Sequence, residues 1–284
     1  MTGNLPALAI TGATGALGGR VARLLADAGM AQRLLVRTAG RAPQLEKAVV
    51  LECSYSDRAA SQAALKGVGT LFMVSASESA DRVDQHCAFI DSARAAGVRN
   101  LVYTSFLGAA PDATFTLARD HFATEEYIRA TGINYTILRN SVYGDLMAAL
   151  VGEDGMIRGP AGDGRVAVVS RADIARTAET VLKDPAAHRN RTYNLTGPEA
   201  LTLTEIARAL SGGGGTAVTF HDETLAEAYE SRMGFGVADW QVEAWVSTYT
   251  AIAAGELAGI STDIETITGR RPISLSDLLA ADQR

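Results

Sequence analysis

From residue 7 onward, short apolar runs alternate with amphipathic stretches of helical length. The runs Ala7–Thr11, Arg33–Arg37, Val49–Cys53, Thr70–Ser75, Leu101–Thr104 and Tyr135–Arg139 are apolar almost throughout, as strands buried on both faces of a parallel sheet must be. Helical spacing fills the intervals at 16–28, 58–65, 81–96 and 118–131. The third of these ends at Gly97, a natural C-terminal stop before the next strand. Strand, helix and strand in this rhythm predict right-handed crossovers and an α/β fold with a doubly wound parallel sheet.

Beyond about residue 140 the rhythm breaks. A Gly-rich turn, Gly159–Gly164, precedes the apolar run Val166–Val169 and a helix from Asp173. A strand over Thr192–Leu195 is followed by a helix opening at Thr202 or Thr204, with Glu205 in its first turn. Gly212–Gly215 reads as a flexible turn into a strand over Thr216–Phe220, and the remainder as mainly helical, with an apolar-rich stretch at Trp240–Ile252. The expected organisation is a nucleotide-binding domain over 1–143, to which 166–197 returns. A smaller, mainly helical substrate-binding part covers 144–165 and 198–284.

Composition narrows the partners. Of 284 residues, 47% are hydrophobic and 20% charged, the balance of a globular chain. The formal net charge of -6 disfavours nucleic acid and anionic membrane surfaces. Two cysteines, Cys53 and Cys87, suggest neither a disulfide framework nor a CxxC site, and four scattered histidines form no metal-ligand cluster. No apolar run is long enough to span a membrane, and the start lacks a basic region before its first strand, so no signal peptide is expected and the cytoplasm is.

The strongest local signal is Thr11-Gly12-Ala13-Thr14-Gly15-Ala16-Leu17-Gly18, directly after the first strand and opening the first helix. Gly12 permits the tight turn, Gly15 lets backbone N–H groups approach a pyrophosphate, and Gly18 lets the helix pack close to the sheet. The positive end of the helix dipole then faces the phosphates, so the loop points to a dinucleotide. The second strand ends in Arg37 instead of an acidic residue, and Arg41 follows one loop later. A guanidinium pairs with a 2′-phosphate through parallel charge-assisted hydrogen bonds, which favours NADP(H) over NAD.

Together these features resemble the extended short-chain dehydrogenase superfamily, with its Rossmann sheet, and within it the NmrA-like atypical branch. The segments that carry the resemblance include Val74–Glu78, Tyr103–Ser105, His121–Glu126, Leu138–Tyr143, Arg171–Ala175 and Tyr193–Pro198. In character the chain is most similar to the bacterial NADPH quinone reductases and triphenylmethane dye reductases of that branch. The resemblance implies that Ser75, Ser77, Glu78, Thr104, Ser105 and Asn140 join Gly12, Ala13, Thr14, Gly15, Ala16, Leu17, Gly18 and Arg37 at the cofactor. The superfamily places a proton-donating Tyr four residues before a Lys on one helix. Here Leu117 stands at the Tyr position and His121 at the Lys position, and Ser105 lies near the slot of the usual Ser partner. Ser54 takes the place of an Asp that relatives often carry after the third strand.

Leu117 cannot donate a proton, so alcohol dehydrogenation by the usual device is disfavoured. Two readings of His121 stand side by side: a half-buried packing residue, or a group at the catalytic face that Glu125, one turn on, orients. Asn140 and Tyr143 leave the sixth strand at its C-terminal end, where open α/β sheets place ligands. His121, Asn140 and Tyr143 are therefore the candidate catalytic residues. The expected activity is NADPH-dependent hydride transfer to a quinone or a similar electron-poor, aromatic small molecule. The alternatives are a non-catalytic NADP(H)-sensing regulator and a biosynthetic reductase acting on an aromatic polyketide-like substrate. No metal is implied, and a homo-oligomer is compatible with the sequence.

Overall fold

In a computed structural model of the chain, the residues described are 5–212 and 217–282. The expected strands form a seven-stranded sheet of order β3-β2-β1-β4-β5-β6-β9. These strands are β1 Leu8–Thr11, β2 Gln32–Val36, β3 Ala48–Glu52, β4 Thr70–Met73, β5 Asn100–Phe106, β6 Asn134–Asn140 and β9 Arg191–Leu195. The ladders β2·β3, β1·β2, β1·β4 and β4·β5 are parallel, with Ile10 in register with Leu34 on one side and Phe72 on the other. That order reverses between β1 and β4, which makes the C-terminal ends of these two strands the place where a doubly wound sheet holds ligands.

The crossovers are α1 Ala16–Asp27, α2 Arg58–Leu65, α3 Arg82–Ala95, α4 Thr116–Thr131 and α5 Arg171–Lys183. α3 runs into Gly97, which adopts φ +82°, a left-handed conformation that stops the helix. β3 departs from the expectation of burial on both faces: it lies at the sheet edge and its residues are half-buried or exposed. β2 is buried throughout, including its polar start. The Arg33 guanidinium is accommodated by donating to the carbonyls of Pro6 (2.6 Å), Ala64 (2.8 Å) and Lys66 (2.8 Å).

The chain divides into two compact units, each assembled from three stretches: 1–105, 121–139 and 174–193 in the first; 106–120, 140–173 and 194–284 in the second. The core of the first unit packs Ala9, Leu35, Leu71, Phe89, Leu101 and Tyr103. The second unit contains the remaining elements: β7 Met156–Gly159, β8 Arg165–Val166, β10 Leu201–Thr202, α6 Leu203–Ser211, β11 Thr219–Asp222, α7 Leu225–Met233, α8 Asp239–Ala253, α9 Asp263–Thr268 and α10 Leu275–Asp282. Two small ladders, β10·β8 antiparallel and β11·β7 parallel, lie beside a core that includes Met147, Ile157, Val166, Leu203 and Ile252. The expected strand over Thr216–Phe220 begins later, at Thr219. Its first residue, Thr216, and most of the Gly212–Gly215 turn, residues 213–215, lie outside the described residues. Gly212 caps α6.

Candidate functional site

The glycine loop is built as its spacing demands. Gly12 sits at φ +66°, and a Cβ there would lie 3.0 Å from the Val74 side chain. Gly15 is the N-cap of α1, and its N–H donates to the Gly12 carbonyl at 2.9 Å. A Cβ on Gly18 would fall 2.3 Å from that same carbonyl oxygen, so only glycine lets the helix start this close to the loop. Ala13, Leu17 and Gly18 are buried against the sheet, while Thr14, Gly15 and Ala16 are exposed. α1 has no side-chain cap and no acidic residue in its first turn. Its first N–H groups are thus left for an anion, with the helix dipole behind them.

Beside this loop is a cavity of roughly 470 Å³ in the first unit. It gathers Gly12, Arg37, Ser75, Ser77 and Glu78 from the expected cofactor residues, together with Ser54 and Tyr55. Arg37 is exposed and forms no hydrogen bond or ion pair with a described residue. The uncapped helix end, the exposed guanidinium and the neighbouring serine hydroxyls form a donor set that fits a phosphorylated dinucleotide.

One wall of the cavity is the chain leaving β4, and three successive peptides of it are pinned. Val74 donates its N–H to Thr11 Oγ1 (2.9 Å) and accepts at its carbonyl from Tyr55 Oη (2.5 Å). The same Tyr55 oxygen lies 2.6 Å from Thr11 Oγ1, and its ring stacks on Phe89 at 4.3 Å. Burial raises the Tyr55 pKa, so the phenol keeps the proton it donates. Ser75 donates its N–H to Thr104 Oγ1 at 2.8 Å. Ala76 is held at both ends: its N–H donates to His86 Nε2 (2.8 Å) and its carbonyl accepts from Arg82 Nε (3.0 Å).

The two buried histidines complete this network. His86 accepts at Nε2, so its proton is on Nδ1 and is donated to Thr124 Oγ1 at 2.9 Å. Burial, then the Arg82 charge, pushes its pKa down to about 3. His121 is also buried. Its Nε2 lies 3.1 Å from Arg82 Nη2, which can only donate, so its Nδ1 proton faces Tyr103 Oη at 2.9 Å. Burial, with Arg82 and His86 nearby, lowers its pKa well below the usual value, and the ring is neutral at physiological pH. Glu125 does not orient it, contrary to expectation. That carboxylate is buried and accepts from Ser105 Oγ (2.6 Å), from Arg139 (2.8 and 2.6 Å) and from Arg129 (3.1 Å). Ser105, expected at the cofactor, thus spends its hydroxyl on Glu125, and Thr104 spends its own on Ser75.

Asn140 and Tyr143 fall in the second unit. Asn140 is 1% exposed, its Nδ2 lies 3.4 Å from Tyr143 Oη, and its buried Oδ1 has no hydrogen-bond partner among the described residues. Tyr143 is half-buried, with the Arg171 guanidinium 5.3 Å over its ring. The second unit has a cavity of its own, roughly 730 Å³ and mainly apolar, with Leu146, Met156, Phe235, Trp245 and Tyr249 in its wall. Tyr249 fits there because residue 159 is glycine: a Cβ at Gly159 would lie 2.2 Å from the tyrosine ring. Tyr55, His86 and this aromatic wall carry no spacing signal in the sequence, since each acts through contacts distant along the chain.

Among the described residues no group of three or more side chains is arranged to hold a metal ion, and no helix is long and apolar enough to cross a membrane.

Comparison with known proteins gives consistent matches over nearly the whole chain. The model of the NmrA-like family matches residues 6–253. Quinone oxidoreductase 2 of Escherichia coli (strain K12) is 34% identical over 277 residues, covering 95% of this chain and 96% of its own. The structure of an Escherichia coli NADPH-dependent quinone oxidoreductase complexed with NADPH superposes with a TM-score of 0.88 at 32% identity, over 98% of this chain and 100% of that one. The Citrobacter sp. triphenylmethane reductase complexed with NADP(H) superposes with a TM-score of 0.83 at 32% identity, over 97% and 99%.

Proposed function

The chain belongs to the NmrA-like family, and from that we propose that it is an NADPH-dependent oxidoreductase whose acceptor is a quinone or a similar electron-poor conjugated molecule. The observation that carries this reading is the uncapped N-terminus of α1 beside a cavity whose guanidinium, Arg37, has no described partner. Relatives that align along nearly the whole chain are named quinone oxidoreductase and triphenylmethane reductase, and two are described with NADPH or NADP(H).

When bound, NADPH supplies a hydride, so NADPH, a quinone and one proton become NADP⁺ and the hydroquinone. The first turn of α1 would hold the pyrophosphate through its backbone N–H groups, and Arg37 the 2′-phosphate. Ser75 and Ser77 offer hydroxyls along the same cavity. The pinned peptides of Val74, Ser75 and Ala76 keep that wall in one shape, so little ordering is left to be done on binding. His121 is neutral, with its ring held by Arg82 and Tyr103, and serves as a positioning residue for this network more readily than as a proton donor. In the second unit, the Asn140 amide nitrogen lies beside the Tyr143 phenol, and both groups can donate a hydrogen bond to a reduced oxygen. A quinone needs little more, because its reduced oxyanion is stabilised by conjugation.

The experiment is loss of NADPH absorbance with a panel of quinones and conjugated carbonyls, run on wild type and Arg37→Ala. Turnover above about 1 per second supports catalysis, and in Arg37→Ala the preference for NADPH over NADH should collapse. Tight NADPH binding with no turnover across the panel would overturn the enzyme reading. An unchanged cofactor preference would remove Arg37 from the 2′-phosphate.

A further inference from the structure

The second unit's cavity carries a charge signature of its own. Its wall is apolar and aromatic, with the Phe235 and Trp245 rings 6.0 Å apart and nearly perpendicular. Among the described residues that line it, the charged ones are Arg158 and Arg232, and no carboxylate reaches the wall. Each arginine has an acid as its ion-pair partner outside the wall. Arg232 is 8% exposed, and its Nη1 lies 2.7 Å from Glu223, itself 6% exposed. Its Nη2 donates to the Arg158 carbonyl at 2.9 Å, and its guanidinium sits 5.2 Å over the Tyr249 ring. Arg158 pairs with Asp154 on the solvent side and is half-exposed. A ligand in the cavity therefore meets the positive ends of two ion pairs, one of them buried where water screens it poorly.

We infer that this cavity takes flat, multi-ring conjugated acceptors that are neutral or carry an acidic substituent, that it rejects cationic dyes, and that Arg158 is a specificity-determining residue. The inference rests on the reductase reading for the word acceptor, though not for the charge selectivity. The volume, roughly 730 Å³, lies in the upper part of the roughly 300–1,000 Å³ range of small-molecule sites, so a single-ring quinone would leave much of the apolar wall uncovered. An acidic group on the ring system can hydrogen-bond to Arg158, whose planar fork has donors beyond the pair with Asp154. A delocalised cation has no carboxylate in the wall to meet.

The test uses three probes: a neutral naphthoquinone, a naphthoquinone sulfonate and a cationic triarylmethane dye. Each is titrated calorimetrically into the NADP⁺-loaded protein and assayed for NADPH oxidation. Wild type should bind the sulfonate at least as well as the neutral quinone and the cation most weakly. Arg158→Gln should lower the sulfonate-to-neutral ratio by about fivefold, the scale of a partly exposed ion pair, and Arg158→Glu should lower it further and admit the cation. Taking ratios of ratios cancels the probes' intrinsic reactivity, and added salt should shrink the difference. Arg165→Gln, which breaks the Arg165–Glu205 pair away from the cavity wall, should leave the ratio unchanged. An unchanged ratio in Arg158→Gln, or a cation bound as tightly as the sulfonate, overturns the inference. Correct binding order without turnover leaves the charge selectivity standing and removes the reductase reading instead.

Discussion

At the scale of single residues, the cofactor loop was the most legible feature. Gly12, Gly15 and Gly18 announce themselves by spacing, and two of them are demanded locally: Gly12 by its left-handed turn and Gly18 by the clash a Cβ would make. His86 shows the opposite case. In the sequence it is one of four scattered histidines, yet it accepts the Ala76 N–H, and its role depends on a bond across ten positions and another to Thr124. Replacing it by Leu leaves a half-buried N–H without its acceptor, at a cost of about 1 kcal/mol. His86→Leu should therefore raise the NADPH dissociation constant and lower the melting temperature, whereas His86→Gln, which can still accept, should recover part of both. The histidine also sets a pH dependence. Its pKa is near 6.5 unfolded and about 3 folded, so between those values the unfolded chain binds the extra proton. Stability is then full above about pH 6.5 and declines as pH falls towards 3, with His121 adding in the same direction. Thermal melts from pH 7 to 4 should show this decline, and a slope unaltered in His86→Gln would remove His86 as one of its sources.

At the scale of elements, strands buried in the large sheet were readable to within a residue or two, because a short, continuous apolar run suits little besides a strand covered on both faces. β3 carries the same apolar run and is half-exposed, since an edge position is a property of the sheet and not of the segment. β7, β8 and β10 are two to four residues long and pair with partners far along the chain, too short for a period to emerge. The cavity of the second unit was hidden for the same reason: Phe235, Trp245 and Tyr249 stand on α8 and the loop before it, where nothing local marks them as a wall. The start of α6 was legible, since Thr202 and Glu205 form a reciprocal capping box. Thr202→Ala should cost about 1 kcal/mol in urea or thermal unfolding. Thr202→Ser should cost far less.

At the scale of the whole molecule, a net charge of -6 is compatible with the proposed phosphate site, since helix N–H groups and Arg37 would meet the anion locally. A ligand bound only by the folded chain stabilises it by about 2.7 kcal/mol at a hundred times its dissociation constant. NADPH should accordingly raise the melting temperature, NADH at the same concentration should raise it less, and Arg37→Ala should bring the two together. Equal stabilisation of wild type by both nucleotides would contradict the assignment of Arg37.

The interleaving of the two units bears on how the chain is made. One of the two edge strands of the large sheet, β9, is Arg191–Leu195, after two stretches of the second unit have already been synthesised. A ribosome therefore cannot release the first unit as a finished N-terminal domain. The emerging chain must hold an incomplete sheet, with β6 unpaired on its outer side, until β9 arrives. Exposed strand edges invite wrong pairing, so synthesis between β6 and β9 leaves an unpaired edge that the finished fold covers.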